Sequence, residues 1–474
     1  MSWCFELSTL RLSVLDERGE VKETLGGEKI EKEVASMATV LATVPLDSLV
    51  TLRMDSRKEA LLAMIALFRR GTPFVVVGNN SPTFTKWSLE TGRELMETEG
   101  KDIDRLEPGI VYSIGTSGTT GARKRVDVPA ECIRLNVEDF KRRFSFSPPS
   151  PPHTMLLVAS FHFDPSMVDI LLWATTPGTH LLLPERDVAR APGALPNALT
   201  RRGVTFVQMC PSMLYRCPLP SLQQLLQTQS QLREMVLRGE PFPHYLFNTV
   251  RHPDCPTRIY DTYGVTEVSC YATVHEVPHG ATASILGEPI DGTDIMVDDE
   301  GRLLIGGARR RCIIDGVRDG EWTISGDRVE KAEGGGWRIV GRGGDEVKLH
   351  GVRVNLVQAA RQLGRMRQNA SLFAKFVVHR SNFLVLFVQG DVSREEIDSM
   401  LPPNLSVHHI EPIHEVPLNS SGKVDGQALL TLLDEPAAAD ENTLSEELER
   451  FVLFSSIDED SSLAELGLDS AAML

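Results

Sequence analysis

The residues best equipped for chemistry lie between Gly115 and Arg125, in "GTSGTTGARKR". An apolar run, "IVYSI", precedes them, and three successive cations, Arg123, Lys124 and Arg125, close the stretch. Glycines let backbone N–H groups turn toward an anion, Ser and Thr hydroxyls add donors, and Lys124 supplies charge, so the loop suits a phosphate. The plainer reading is a Gly/Thr surface loop. Two familiar phosphate loops are excluded. G-x-x-x-x-G-K-[ST] fails because Ala122 and Arg123 separate Gly121 from the lysine, and G-x-G-x-x-G is absent.

The elements that must position this loop follow from apolar patterning. Up to about residue 280, short apolar runs such as "TPFVVV", "GIVYSI", "TMLLVAS", "THLLLPE", "VTFVQM" and "REMVLRG" alternate with stretches of helix length, which predicts a mostly parallel α/β sheet system. From about 285 the strands are short and divided by Gly/Asp turns, as in "TDIMVDDEGRLLIGG", which predicts antiparallel β in a small barrel-like part. Two adjacent glycines in "GRGGDE" (341–346) mark a boundary. A compact α+β segment follows, with a helix near 355–366, a hairpin turning at Ser381–Asn382 and a helix in "REEIDSML". The expected domains are a large α/β unit over 1–341 with stacked sheets, a small α+β unit over 342–432, a linker over 433–442 and an all-α piece over 443–474.

Composition narrows the function. The 474 residues are 42% hydrophobic and carry 49 Lys+Arg against 65 Asp+Glu, a formal charge of −16. So acidic a chain is a poor general nucleic-acid binder, since phosphate neutralisation needs a cationic surface. The seven cysteines show no C-x-x-C spacing and no zinc-ligand pattern, so they read as buried, unpaired thiols of a reducing compartment. The N-terminus lacks a signal-peptide pattern, and the longest apolar run, "EALLAMIALF" at 59–68, is too short for a bilayer and suits a buried helix. A cytoplasmic protein with no membrane span is expected.

Further motifs stand in a fixed order around the loop: "FDPSMVDI" (163–170), "VTFVQMCPSML" (204–214), "YDTYGVTE" (260–267), "SGD" (325–327), "GRGGDEVKLHGVRV" (341–354) and "PLNSSGKVDGQAL" (417–429). With T-S-G-T-T-G-x-x-K, the set resembles the ANL adenylate-forming superfamily over roughly residues 20 to 430. That family includes acyl-CoA synthetases, peptide-synthetase adenylation domains and luciferases.

The resemblance implies a two-step reaction. A carboxylate attacks the α-phosphorus of ATP, giving an acyl-adenylate and pyrophosphate, and a thiol then takes the acyl group. It implies that Thr116, Ser117, Gly118, Thr119, Thr120, Gly121, Ala122, Arg123 and Lys124 cover the departing phosphates. Thr266 would donate to the α-phosphate, and Glu267 would hold Mg²⁺, a hard cation that prefers oxygen. Tyr263 would stack on adenine, with Asp327 accepting the ribose hydroxyls and Arg342 beside it. Lys423 would bridge the substrate carboxylate and the α-phosphate, screening two anions that must approach. Gly351 would let a thiol-bearing arm pass.

Asp164, in "HFDPS", corresponds to the acid that pairs a substrate amino group in amino-acid adenylation domains; the alternative is a helix cap with Pro165 in the first turn. The similarity is greatest to amino-acid-activating members, which implies a small, β-alanine-like substrate. The tail "LAELGLDSAAML" resembles the start of a carrier domain, making Ser470 the attachment point for 4′-phosphopantetheine, added by a phosphopantetheinyl transferase; the alternative is a helix N-cap. Less than half a carrier is present, so the sequence reads as a fragment or a truncated gene model that lacks the carrier's remainder and possibly a further domain.

Departures from the family pattern stand beside this. Arg123 and Arg125 replace Pro and Gly around Lys124, "LRGE" (237–240) lacks one Gly of a G-G-E turn, and Gly344, next to Asp345, occupies the hinge position usually held by an acid or lysine. They keep open one competing reading, a degenerate nucleotide-binding paralogue, against which an intact Lys423, Glu267 and Asp327 weigh; a second, a free-standing acyl-CoA ligase, is opposed by a functional Asp164 and Ser470.

Overall fold

The computed structural model describes residues 3–434, apart from 54, 78–84, 91–92, 98–105, 118–122, 147–150, 186–193, 216, 319, 333–334, 343–345, 350–351, 357–359, 361–362, 364–372, 380–382, 391, 395, 398–400, 402–406, 408 and 420. Gly118 to Ala122 of the phosphate loop, Gly344, Asp345, Gly351, Ser470, and nearly all of the linker and carrier segments lie outside the described residues.

Contacts group residues 1–425 into one unit and 426–474 into another. The first is built on a nine-stranded sheet. Its six central strands run parallel, in the order Arg258–Tyr263, Glu234–Arg238, Phe206–Met209, Thr154–Leu157, His180–Pro184, Arg11–Leu15. Antiparallel strands close both edges. Side chains alternate across a strand, so each central strand feeds two cores. Met155, Leu157, Leu181, Leu183, Phe206 and Val236 face one, and Leu156, Leu182, Val207, Met209, Met235 and Leu237 face the other. Burial on both faces explains why these strands read as continuous apolar runs.

The first core is shared with a seven-stranded mixed sheet and with the helices Arg57–Arg70, Ala130–Arg143 and Pro165–Ala174. In the helix Arg57–Arg70, every residue from Ala60 to Phe68 is buried, as suits an element packed between sheets. Ser56 accepts from Glu59 N–H at its start and Gly71, at φ 72°, ends it.

The expected strand "TMLLVAS" stops at Leu157. Beyond it the backbone finds a different partner: the Arg57 guanidinium donates to Leu157 O (3.4 Å), Ala159 O (2.7 Å) and Pro184 O (3.3 Å), and packs over Phe161. These carbonyls are satisfied by a side chain rather than by a ladder.

After residue 285 the chain forms a four-stranded antiparallel sheet, Asp294–Val297, Arg302–Gly306, Trp322–Lys331 and Trp337–Arg342. A hairpin, Glu346–Leu349 with Val352–Asn355, comes next. The expected hairpin around 381–382 forms as Phe373–His379 with Phe383–Gln389, and His409–Ile413 adds in parallel. The helix expected near 355–366 lies mostly outside the described residues. All seven cysteines are free; six are buried as expected, whereas Cys4 is exposed. Among the described residues no helix is long and apolar enough to cross a membrane. The second unit is described only through its helix Gly426–Asp434.

Candidate functional site

Four adjacent parallel strands end on the same edge of the nine-stranded sheet, where open α/β sheets gather ligands. The chain leaving Thr154–Leu157 carries Asp164, the one leaving Phe206–Met209 carries Ser212, that leaving Glu234–Arg238 carries Gly239 and Glu240, and that leaving Arg258–Tyr263 carries Thr266 and Glu267.

Asp164 occupies the N-cap position of the helix Pro165–Ala174 in an αR conformation, and its side chain makes no capping bond. It is only 2% exposed, and its Oδ2 has no hydrogen-bond partner. Burial pushes its pKa up to about 6, against the Thr266 hydroxyl and the Lys423 and Arg238 charges, while Glu267 pushes in the same direction as burial. One buried carboxyl therefore has the threonine, the glutamate and the lysine of the sequence motifs around it.

The loop carrying Thr266 and Glu267 is a forced turn. Val268 N donates to Val265 O, Ser269 N to Thr266 O and Ala272 N to Tyr263 O. Ser269 and Cys270 sit at φ 63° and 78°, strained for non-glycine residues. Asn136 holds them by donating to Ser269 O over 2.6 Å. Gly264 is required here: a Cβ would lie 2.0 Å from Cys270 O.

Tyr263 and Asp327 meet across 64 residues, the phenol donating to Asp327 Oδ2 at 2.6 Å. Asp327 N in turn donates to Ser325 Oγ, and the antiparallel ladder sets Arg342 directly opposite Asp327.

Lys423 reaches the site by a narrow route. Its Nζ lies 4.9 Å from the centre of the Phe163 ring, and its Cε passes 2.8 Å from where a Cβ on Gly239 would stand. Gly239, at φ 75°, is thus both turn and gap.

The described residues flanking the phosphate motif lie on the antiparallel strands Ile110–Ser117 and Arg123–Pro129, with Thr116 paired to Lys124 and Ser117 to Arg123. The three cations therefore belong to the returning strand. Lys124 is exposed, and Arg125 pairs with the buried Asp127 at 2.9 Å. Among the described residues no group of three or more His, Cys, Asp or Glu could hold a metal ion.

Arg238 stands where the G-G-E turn would have a glycine, and the sequence motifs assign it no role. It is 1% exposed, its guanidinium lies 4.8 Å over Phe163, and its Nε and Nη2 make no hydrogen bonds. Its counter-charges are Asp164 and Asp169. Asp169 Oδ1 accepts from Gln208, whose Oε1 accepts from Tyr271, while burial raises the Asp169 pKa to about 7. The available signal was an arginine ending a strand whose middle, "MVL", is apolar.

Comparison with known proteins agrees with this geometry. Residues 103–331 match the AMP-binding enzyme family. The human β-alanine-activating enzyme is 29% identical over 366 residues, 71% of this chain and 33% of its own length, so the chain spans about a third of that relative. The D-alanine–D-alanyl carrier protein ligase of Staphylococcus epidermidis is 26% identical, with 70% of this chain and 73% of that protein covered. In fold, Klebsiella oxytoca NpsA in complex with 3-hydroxyanthranilyl-AMSN superposes with a TM-score of 0.68 at 17% identity, over 89% of this chain and 96% of that one. A four-domain nonribosomal peptide synthetase bound to AMP and glycine also gives 0.68, at 17% identity, covering 88% of this chain and 35% of that one. Residues 103–331 thus carry an AMP-binding enzyme domain, similar to those of adenylate-forming ligases.

Proposed function

We propose that the protein activates the carboxylate of a small amino acid with ATP, forming an aminoacyl-adenylate and pyrophosphate, and passes the acyl group to the thiol of a carrier's phosphopantetheine. The observation that carries this reading is Asp164: a buried carboxylate, not spent on capping its helix, with Lys423 among its neighbours. Its Oδ2 is buried with no hydrogen-bond partner, and a substrate ammonium would supply one. Relatives named for β-alanine activation and for D-alanyl carrier loading support a small amino acid and a carrier acceptor.

In this reading Lys423 holds the substrate carboxylate against the α-phosphate and screens the repulsion between them. Thr266 donates to the α-phosphate as charge builds there. Tyr263 and Asp327 grip the nucleoside, with Arg342 opposite Asp327. Lys124 and the phosphate motif from Thr116 to Arg123 receive the departing pyrophosphate. Glu267 would hold Mg²⁺ together with phosphate oxygens of the nucleotide, since among the described residues no group of three or more His, Cys, Asp or Glu could hold the ion alone. Mg²⁺ supplies charge neutralisation for the triphosphate. Gly351 lines the passage for the thiol, and Ser470 bears the phosphopantetheine, installed by a phosphopantetheinyl transferase. Residues 342–432 act as a small C-terminal domain joined by the 433–442 linker to the carrier. A reducing, ATP-supplied cytoplasm suits the six buried free thiols.

The test is ATP–pyrophosphate exchange with Mg²⁺, across β-alanine, α-amino acids, α-aminoadipate and fatty acids, with Lys423→Ala as control. Exchange driven by an amino acid and lost in the variant is the expected result. Exchange with fatty acids alone would make the protein an acyl-CoA ligase, and none at all in folded protein that binds ATP would make it a degenerate paralogue.

A further inference from the structure

The lysine loop is fastened after Lys423 by a carboxylate to which the sequence motifs give no role, and before Lys423 by a serine that the same carboxylate holds. Glu240 Oε1 accepts the N–H of Val424 at 3.0 Å, and Oε2 accepts the N–H of Ser212 at 2.9 Å. Ser212 in turn donates its hydroxyl to Gly422 O at 2.7 Å. The residues before and after Lys423 are therefore both tied to one Ser212–Glu240 unit. The loop's own shape is fixed from inside, since Asn419 Oδ1 accepts the N–H groups of Ser421 and Lys423. Gly422 packs so closely that a Cβ would lie 2.0 Å from Met213 Cε.

Charge-assisted bonds from a carboxylate to two backbone donors are stronger than neutral ones and fix direction. They hold the loop where the Lys423 amine emerges between Gly239 and Phe163. Both Glu240 oxygens accept backbone N–H groups.

We infer that Glu240 is a positioning residue that clamps the Lys423 loop for the adenylation step; this rests on the role proposed for Lys423. The clamp serves only the half-reaction in which two anions must be brought together. Once the mixed anhydride exists, attack of a thiol on its carbonyl releases AMP without that lysine bridge.

The experiment compares the native chain with Glu240→Ala and Glu240→Gln in two half-reactions. Glu240→Ala is expected to lower kcat for ATP–pyrophosphate exchange by roughly 10- to 100-fold, the range for a misplaced positioning contact, with KM values changed by less than about threefold. Glu240→Gln keeps one acceptor and should recover part of the loss. Transfer from presynthesised aminoacyl-adenylate to pantetheine should proceed at the native rate in both variants. Equal loss in the two half-reactions would mark general damage and overturn the proposal, as would unchanged exchange in Glu240→Ala. Amide hydrogen exchange at 421–424 reads the clamp without activity. It should accelerate at least about tenfold in Glu240→Ala, and unchanged protection would also overturn the clamp. An inactive native chain whose loop still loosens in the variant would fault the proposed reaction and not the clamp.

Discussion

The Tyr263 hydroxyl donates to Asp327 Oδ2 at 2.6 Å, joining the end of a parallel strand to an antiparallel sheet 64 residues later. The bond fixes the phenol ring and one carboxylate oxygen together, so the two proposed nucleoside contacts behave as one unit. Tyr263→Phe keeps the ring but removes this hydrogen bond to the carboxylate. The expected outcome is a rise in KM for ATP of about 10- to 100-fold, the equivalent of one charged hydrogen bond at about 1.5–3 kcal/mol, with kcat within about threefold. Initial-rate kinetics over an ATP series checks it.

Much of this arrangement was legible in the chain. Strands buried on both faces write themselves as apolar runs, and loops such as "YGVTE" and "SGD" keep their residues adjacent in sequence. What stayed hidden depends on partners far away in the chain. Glu240 bonds to residues 28 and 184 positions distant, and nothing in "LRGE" announces them. Arg238 reads as the polar end of a strand, yet the fold buries it against Phe163. The strand at Thr154 was read too long because Arg57, a hundred residues earlier, takes over its carbonyls.

Asp164 sets a pH dependence. Burial raises its pKa from 3.8 to about 6, so the carboxylate proposed to pair a substrate ammonium is lost as pH falls through about 6. The KM for the amino acid should climb below that pH and be flat above about 7, whereas KM for ATP should not follow. Asp164→Asn should abolish this dependence and raise the amino-acid KM by roughly 30-fold or more, about 2 kcal/mol. The stability sign is opposite. The folded state holds this proton more tightly than the unfolded one, so the ionised carboxyl costs stability as pH rises from about 4 to 6. Asp164→Asn should therefore gain stability relative to the native chain above pH 6, by on the order of 2–3 kcal/mol. Urea denaturation at pH 4.5 and 7.5 checks the sign.

Gly239 is the gap through which Lys423 passes. In Gly239→Ala the new methyl would stand 2.8 Å from Cε and 3.2 Å from Nζ, on a backbone at φ 75°. The lysine tip is flexible and moves aside, so the stability cost is mainly that of the left-handed backbone, about 1 kcal/mol. The amine is then displaced, and pyrophosphate exchange should fall by about tenfold or more. Thermal unfolding and exchange measured together check the split: a large loss of stability with normal activity would contradict it.

Arg238 is a charge that favours ionisation of two buried carboxyls, the main one for Asp169 and one beside Lys423 for Asp164. It lowers the pKa of both Asp164 and Asp169 against the effect of burial, and it lies over the same Phe163 ring that Lys423 approaches. Arg238→Met keeps much of the packing volume and removes the charge. The Asp164 pKa should then rise above its native value of about 6, so the loss of amino-acid binding on acidification begins at higher pH. Breaking a buried charge arrangement by deleting one partner also destabilises, by about 3–5 kcal/mol. That cost should be largest above pH 7, where Asp169, whose pKa is about 7, is ionised, and should shrink as acid neutralises it. Paired pH profiles of amino-acid KM and of unfolding free energy check this; a KM profile with an unshifted midpoint would separate Arg238 from the Asp164 site.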